Sequence, residues 1–181
     1  MSSESIHISS LSDEVDCQKA MASVQEVFFR TSPYGRSLKG ADREEFFFNW
    51  AGWYMHNFPQ QTLLIRGARA KIIGYLVGFF DSASGEELFK RIFYYKEFAR
   101  WYAEYPSHFH INCHPDYQGL RHGAALVHKF GHDAKVSGVR GLHIVTGSKA
   151  RNRGFYERLG FRQRDQKMVD GRSLVLLGKH L

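Results

Sequence analysis

Cysteine is nearly absent: Cys17 and Cys113 are the two in 181 residues, and no paired spacing joins them. That excludes a Cys-x-x-Cys zinc or redox motif and points to reduced thiols in a cytoplasm. Long apolar runs are lacking too. The longest, Ile72 to Phe80, is interrupted by Gly74 and Gly78 and is far short of the roughly 20 residues a membrane helix needs. The opening Met1-Ser2-Ser3-Glu4-Ser5 has no basic region followed by an apolar run, so no secretory signal is expected. Internal repeats and low-complexity linkers are missing as well. What is present is a 43% hydrophobic share with 15 Phe, 9 Tyr and 3 Trp, which excludes disorder as the dominant state. The length fits one domain over 1–181. A net charge of +7 from 25 basic and 18 acidic residues admits nucleic acid, an anionic surface or an anionic cofactor, and charge alone does not choose among them.

Taken in order, Ile6-His7-Ile8 predicts a short strand, and Ser12-Asp13-Glu14 a helix cap ahead of the stripe Val15, Met21, Val24, Val27 and Phe28. Pro33-Tyr34-Gly35 is expected to end that helix and begin a polar connection to Gly40. A second helix is expected from about Asp42 to Pro59, carrying Phe46, Phe47, Phe48, Trp50, Trp53 and Tyr54, a series that reads mainly as core. Thr62–Ile65 and Lys71–Phe80 predict an antiparallel hairpin around Gly67. Residues 86–105, rich in aromatic and basic side chains, read as a helical insertion with charges on one side, either a lid or an extra helix on the sheet edge.

From His108 the pattern changes. Phe109, Ile111 and Cys113 alternate with His108, His110, Asn112 and His114, a strand period, and after Pro115 the spacing turns helical through Leu126, Val127, Phe130 and Ala134. A strand, a glycine-flanked turn and a helix follow one another. The first amides of such a helix lack internal partners and carry the positive end of the peptide dipoles, so the turn is a seat for a phosphate. Beyond it, Leu142–Thr146 predicts a strand, Arg151–Leu159 a helix stopped by Gly160, and Arg162–Val169 with Ser173–Lys179 a closing hairpin over Asp170-Gly171. This order predicts a mixed, largely antiparallel α/β sheet.

Two segments together resemble the GNAT superfamily of acyl-CoA-dependent N-acyltransferases. Cys113 to Ala124 is similar to its Gln/Arg-x-x-Gly-x-Gly/Ala pyrophosphate loop after a strand ending in Val-x-Pro, and Asn152 to Phe161 to its Phe-Tyr-x-x-x-Gly-Phe signature. The resemblance implies a single twisted mixed sheet with helices on both faces and a splayed central strand pair. It implies acetyl-CoA as acyl donor, its pyrophosphate held by Gln118, Gly119, Leu120, Arg121, His122, Gly123 and Ala124. The thioester carbonyl would accept from backbone near Ile111, Asn112 and Cys113, where negative charge develops. Tyr156 falls where the family often has a general acid, since a phenol stays protonated at neutral pH. The implied acceptor is a small-molecule or protein amine attacking directly in a ternary complex, with Trp50, Trp53 and Tyr54 as walls; a homodimer is left open. CoA's phosphates suffice to explain Arg121, Lys129, Lys149, Arg151 and Arg153, with no nucleic-acid motif or membrane partner needed.

The sequence departs from the family in three places. Arg121 replaces the loop's middle glycine, adding bulk but also a fork of donors. Lys149 stands where the second segment usually has asparagine. Counting back from the loop, the family's base positions fall on Ser107 and Phe109, one residue out of phase with His108 and His110, and one residue reverses a strand's face. A bulge would restore the phase and make His110 the base; without one, the histidines read as a polar, non-catalytic strand face. His108, His110 and His114 lack a carboxylate or thiolate at supporting spacing, so no metal is expected. The alternative to an enzyme is a non-catalytic module of the same fold that binds CoA or a partner protein, similar to the acetyltransferase-like domain attached to some O-GlcNAc hydrolases.

Overall fold

The computed structural model describes residues 6–181; Met1–Ser5, on which the expectation of no secretory signal rests, lie outside the described residues. The chain divides into two compact units, one ending at 78 and completed by 110–130, the other made of 79–109 and 131–181.

In the first unit, β1 (His7–Ser10), β2 (Leu63–Arg66) and β3 (Ile72–Phe79) run antiparallel in that order, with Ile8 opposite Ile65 and Leu63 opposite Leu76. The expected hairpin around Gly67 is therefore present. Every residue of β3 is buried, the signature of a strand covered on both faces. The first helix, α1 (Cys17–Thr31), begins later than the Ser12 cap predicts. Ser10 and Asp13 close a capping box on a 3-10 turn, and it is Asp16 that caps α1, accepting from the Lys19 amide at 2.9 Å. Val24, Val27, Phe28 and Phe29 form its buried stripe.

The predicted polar connection after Pro33 is also corrected. Ser32 accepts from the Gly35 amide at 3.0 Å and starts a short helix, α2 (Pro33–Ser37). Next, α3 (Gly40–Phe47) runs into a π-helical turn, Phe48–Gly52, and then α4 (Trp53–Asn57). The wider turn adds a residue to the helical phase; Phe47, Trp53 and Tyr54 are buried, while Phe46, Phe48 and Trp50 keep partial exposure.

The second unit contains the first residues of β4 (Ser107–Cys113), together with β5 (Gly141–Gly147), β7 (Arg172–His180) and β6 (Arg162–Val169), bonded in that order. β5 and β7 are antiparallel, as are β7 and β6, whose turn uses Asp170 and Gly171 at φ 47 and 72°. β4 and β5 are parallel, registered only at Ser107 opposite Leu142 and His108 opposite His143. The ladder therefore stops after His108, the splayed pair that the family resemblance implies. The fold class is α/β with a seven-stranded mixed sheet.

Residues 86–105 are not one helix. A single turn and a half, α5 (Glu86–Arg91), ends at Ile92, whose backbone is extended, and Lys96–Trp101 is 3-10. Tyr94 and Tyr95 are both buried, as are Leu88, Phe98, Tyr102 and Tyr105. α5 closes with the Ile92 amide on the Leu88 carbonyl, and the extended backbone at Ile92 ends the helical phase before Tyr94 and Tyr95 are reached.

Candidate functional site

β4 is buried on both faces over Ser107, His108 and Phe109 and becomes half-exposed from His110 to Cys113. The predicted in-and-out alternation is thus replaced by a lengthwise change. His108 is an interior residue of the second unit: its Nδ1 meets Ser82 Oγ at 2.9 Å and the Tyr95 hydroxyl at 3.0 Å. Those contacts give it a structural role.

His110 lies in the first unit among rings from the π-turn and α4. Trp50 stands edge-on at 5.2 Å, and the Tyr54 hydroxyl is 3.4 Å from His110 Nε2. Burial pulls the imidazole down from its ordinary value to about 4, because an apolar surround penalises its charged form. At neutral pH this ring is neutral. Two residues on, Asn112 donates its side-chain amide to the Tyr75 hydroxyl at 2.7 Å. Desolvation raises the Cys113 thiol to about 11, so it stays unionised. A Cβ on Gly74 would lie 3.0 Å from Cys113 Sγ and 3.1 Å from the Asn112 carbonyl, so the glycine permits β3 to approach this part of β4 closely.

After β4 the chain does not become helical at once. His114 donates its amide to the Ile73 carbonyl at 2.8 Å and its Nδ1 accepts from the Asp116 amide at 3.4 Å, opening a 3-10 turn over Pro115–Tyr117. The Gln118 side chain reaches back to the Cys113 carbonyl at 3.1 Å, tying the loop to the strand. Gly119 and Arg121 then both adopt left-handed backbone, φ 80 and 64°. The 15-residue helix α6 (His122–Val136) begins immediately after, the Ala125 amide bonding to the Arg121 carbonyl at 3.0 Å. Its first amides have no partner within the helix, and Leu126, Val127 and Phe130 anchor it in the core. Next to these amides, His122 Nδ1 is buried and has no hydrogen-bond partner among the described residues. Ile111, Asn112, Cys113 and the residues Gln118 to Ala124 thus belong to one unit.

Tyr156 belongs to the second unit, on α7 (Arg153–Arg158). It packs against Phe155, Phe109 and Phe161 at centroid distances of 5.1, 6.2 and 5.9 Å. Burial pushes its phenol well above the usual tyrosine value. Arg153, one of the cations expected to serve a nucleotide, pairs with Glu157 at 2.8 Å.

Two features went unforeseen. One is the contact of Tyr54 with His110, although Tyr54 was expected to be a pocket wall. The other is a cleft of about 450 Å³ in the first unit, lined by arginines from α1, α2 and α3 and by the start of the loop. Arg30, Arg36 and Arg43 share no sequence motif, so only the packing of three helices brings them together. Among the described residues, no group of three His, Cys, Asp or Glu side chains is placed to hold a metal ion, and no helix is long and apolar enough to cross a membrane.

A family model for an acetyltransferase (GNAT) domain matches residues 63–163. No curated protein matches the sequence. Among solved structures, SsHAT is 22% identical, with a TM-score of 0.76 over 97% of this chain and 98% of its own. PH1933 from Pyrococcus horikoshii OT3 is 17% identical, with a TM-score of 0.69 over 98% and 99%. A Drosophila melanogaster polyamine N-acetyltransferase that catalyses formation of N-acetylagmatine is 13% identical, with a TM-score of 0.68 over 98% and 100%. At these identities the solved structures show a shared fold.

Proposed function

Because the chain belongs to the GNAT acetyltransferase family, we propose that it transfers the acetyl group of acetyl-CoA to a primary amine, which attacks directly in a ternary complex. The observation that carries this reading is the turn between β4 and α6. Left-handed backbone at Gly119 and Arg121, a long helix starting at His122 and the orphaned His122 Nδ1 fit a doubly charged phosphate linkage, whose oxygens would satisfy amides that the helix cannot. Acetyl-CoA, when bound, supplies an activated thioester acyl group.

Each residue then has a physical task. Gln118 to Ala124 present backbone amides to the pyrophosphate, with the α6 dipole behind them. Arg121 adds a guanidinium fork at the same place. The left-handed conformation at Arg121 supports a loop that keeps its phosphate-binding shape without the family's glycine, and this weighs against a non-catalytic module. Backbone donors in the stretch Ile111 to Cys113 are the seat for the thioester carbonyl. The proposed acid is Tyr156, protonated at neutral pH and able to donate to the departing thiolate. His110 is the proposed base: its neutral imidazole accepts a proton from the incoming ammonium through water. A base of such low pKa is a weak one, so deprotonation of the free amine in bulk water contributes alongside it.

The acceptor is a small-molecule or protein amine, a homodimer remains compatible with the reading, and Cys17 and Cys113, both free, suit a cytoplasmic setting. Calorimetry with acetyl-CoA tests the proposal. Saturable binding that Gly123→Trp weakens at least 100-fold, with CoA release from an amine panel, is the expected result; no binding, or binding indifferent to Gly123→Trp, overturns it.

A further inference from the structure

The arginine cleft of the first unit has the chemistry of a second anion seat. Its walls include Arg30 on α1, Arg36 on α2 and Arg43 on α3, with Phe29 behind them and His114 and Asp116 at the start of the loop. Arg43 is held in advance: its guanidinium carbon lies 3.3 Å from the Phe29 ring centroid, and Nη1 donates to the Gly35 carbonyl at 3.1 Å. Arg30 pairs with Glu26 at 3.3 Å, but both side chains are more than half exposed, so an incoming oxyanion exchanges that contact at little cost. Arg36 is exposed and has no ion-pair partner among the described residues. Asp116, which lies 3.6 Å from His114 Nδ1, is directed largely to solvent.

Three guanidinium groups thus face two carboxylates around one concavity of about 450 Å³. Clustered like charges repel, and a bound oxyanion relieves that repulsion while taking planar, bidentate donors. We infer that this cleft binds an oxyanion of the ternary complex, separate from the pyrophosphate held by the loop amides; the inference rests on the acyltransferase reading. Its position limits the sources. His114 follows His110 by four residues along an extended strand, roughly 13 Å at the rise of a β-strand. A free α-amino acid with its amine at His110 is too short to reach. The oxyanion is either a further phosphate of the nucleotide or a carboxylate far from the reacting amine.

Two comparisons distinguish the sources, each in the wild type and in Arg36→Gln, a surface change expected to leave the melting temperature in place. If the nucleotide supplies the group, dephospho-acetyl-CoA binds at least tenfold more weakly than acetyl-CoA by calorimetry, and Arg36→Gln reduces the ratio to within about twofold. If the acceptor supplies it, 8-aminooctanoate exceeds octylamine at least tenfold in kcat/KM, and Arg36→Gln erases that preference. Arg43→Lys, which keeps the charge but loses the fork, gives an intermediate ratio in whichever comparison responds. Both ratios unchanged by Arg36→Gln overturn the inference. Should the wild type bind no form of acetyl-CoA, the acyltransferase reading fails, and inorganic pyrophosphate then decides on the cleft: tenfold weaker binding to Arg36→Gln supports an anion seat, equal binding overturns it.

Discussion

The Tyr54 hydroxyl faces His110 Nε2 across 3.4 Å, with Trp50 edge-on to the same imidazole. The ring is kept neutral by its apolar surround, its pKa drawn down to about 4. In the unfolded chain the same histidine titrates near 6.5, so between pH 6.5 and 4 the unfolded state binds the extra proton and stability falls as pH falls. The loss, discounted for the ring's partial exposure, is on the order of 2 kcal/mol. Melting temperatures recorded from pH 7 to 4 should therefore drop more steeply for the wild type than for His110→Phe. Parallel curves would mean that the imidazole is solvated and titrates normally.

Tyr156 makes a kinetic prediction. Burial raises its phenol far enough that it remains protonated throughout the working range, so its ionisation should give no alkaline limb to the rate profile below pH 10. Tyr156→Phe keeps the packing against Phe109 and Phe161 and removes a single proton donor. We expect kcat to fall roughly 100-fold, in the range of a lost general acid, with the Kd for acetyl-CoA changed less than about twofold. Equal turnover in the two proteins would leave Tyr156 as a packing residue.

Arg121 holds a left-handed φ of 64°, a conformation that costs a non-glycine residue roughly 1 kcal/mol. Arg121→Gly removes that strain but frees the unfolded chain, and the two effects nearly cancel. Its melting temperature should stay within about 3 °C of the wild type. The discriminating measurement is the salt dependence of acetyl-CoA binding. Losing one phosphate-facing guanidinium should flatten the dependence of log Kd on log salt, with weaker binding at low salt and convergence at high salt. Superimposable salt curves would place Arg121 away from the phosphates.

What was legible in the sequence followed from local chemistry. The stripe Leu126, Val127 and Phe130 and the dipeptide Asp170-Gly171 name their own helix and hairpin, and the period-2 spacing before Pro115 locates β4, although its burial changes along the strand and does not alternate. Where two local signals compete, sequence order does not decide. Ser10, Ser12 and Asp16 are all competent caps, and hydrogen bonding assigns α1 to Asp16. Adjacent Tyr94 and Tyr95 satisfy a helical pattern on paper, but the extended backbone at Ile92 ends α5 before them. The environment of His110 depends on the π-turn over Phe48–Gly52, whose extra residue leaves no compositional mark. Arg30, Arg36 and Arg43 meet only because three helices pack, an arrangement that no one-dimensional spacing records.

Gly178 marks another close approach that pattern alone conceals. It lies on β7 opposite His143 of β5 and Arg162 of β6, so strand propensity would favour any larger residue there. Yet a Cβ at this position would come within 2.7 to 2.9 Å of three atoms of the Tyr105 ring. That ring is fully buried, and its hydroxyl meets His180 Nε2 at 3.2 Å, so it cannot withdraw without losing both. Gly178→Ala should cost about 1–3 kcal/mol through overpacking, lowering the melting temperature by roughly 3–10 °C in a chain of this size. Because the clash is pairwise, Tyr105→Leu should absorb part of it. The double variant is then more stable than the sum of the single losses predicts, by at least about 0.5 kcal/mol. Additive losses would show that the backbone of β7, not the tyrosine ring, is what excludes a side chain at 178.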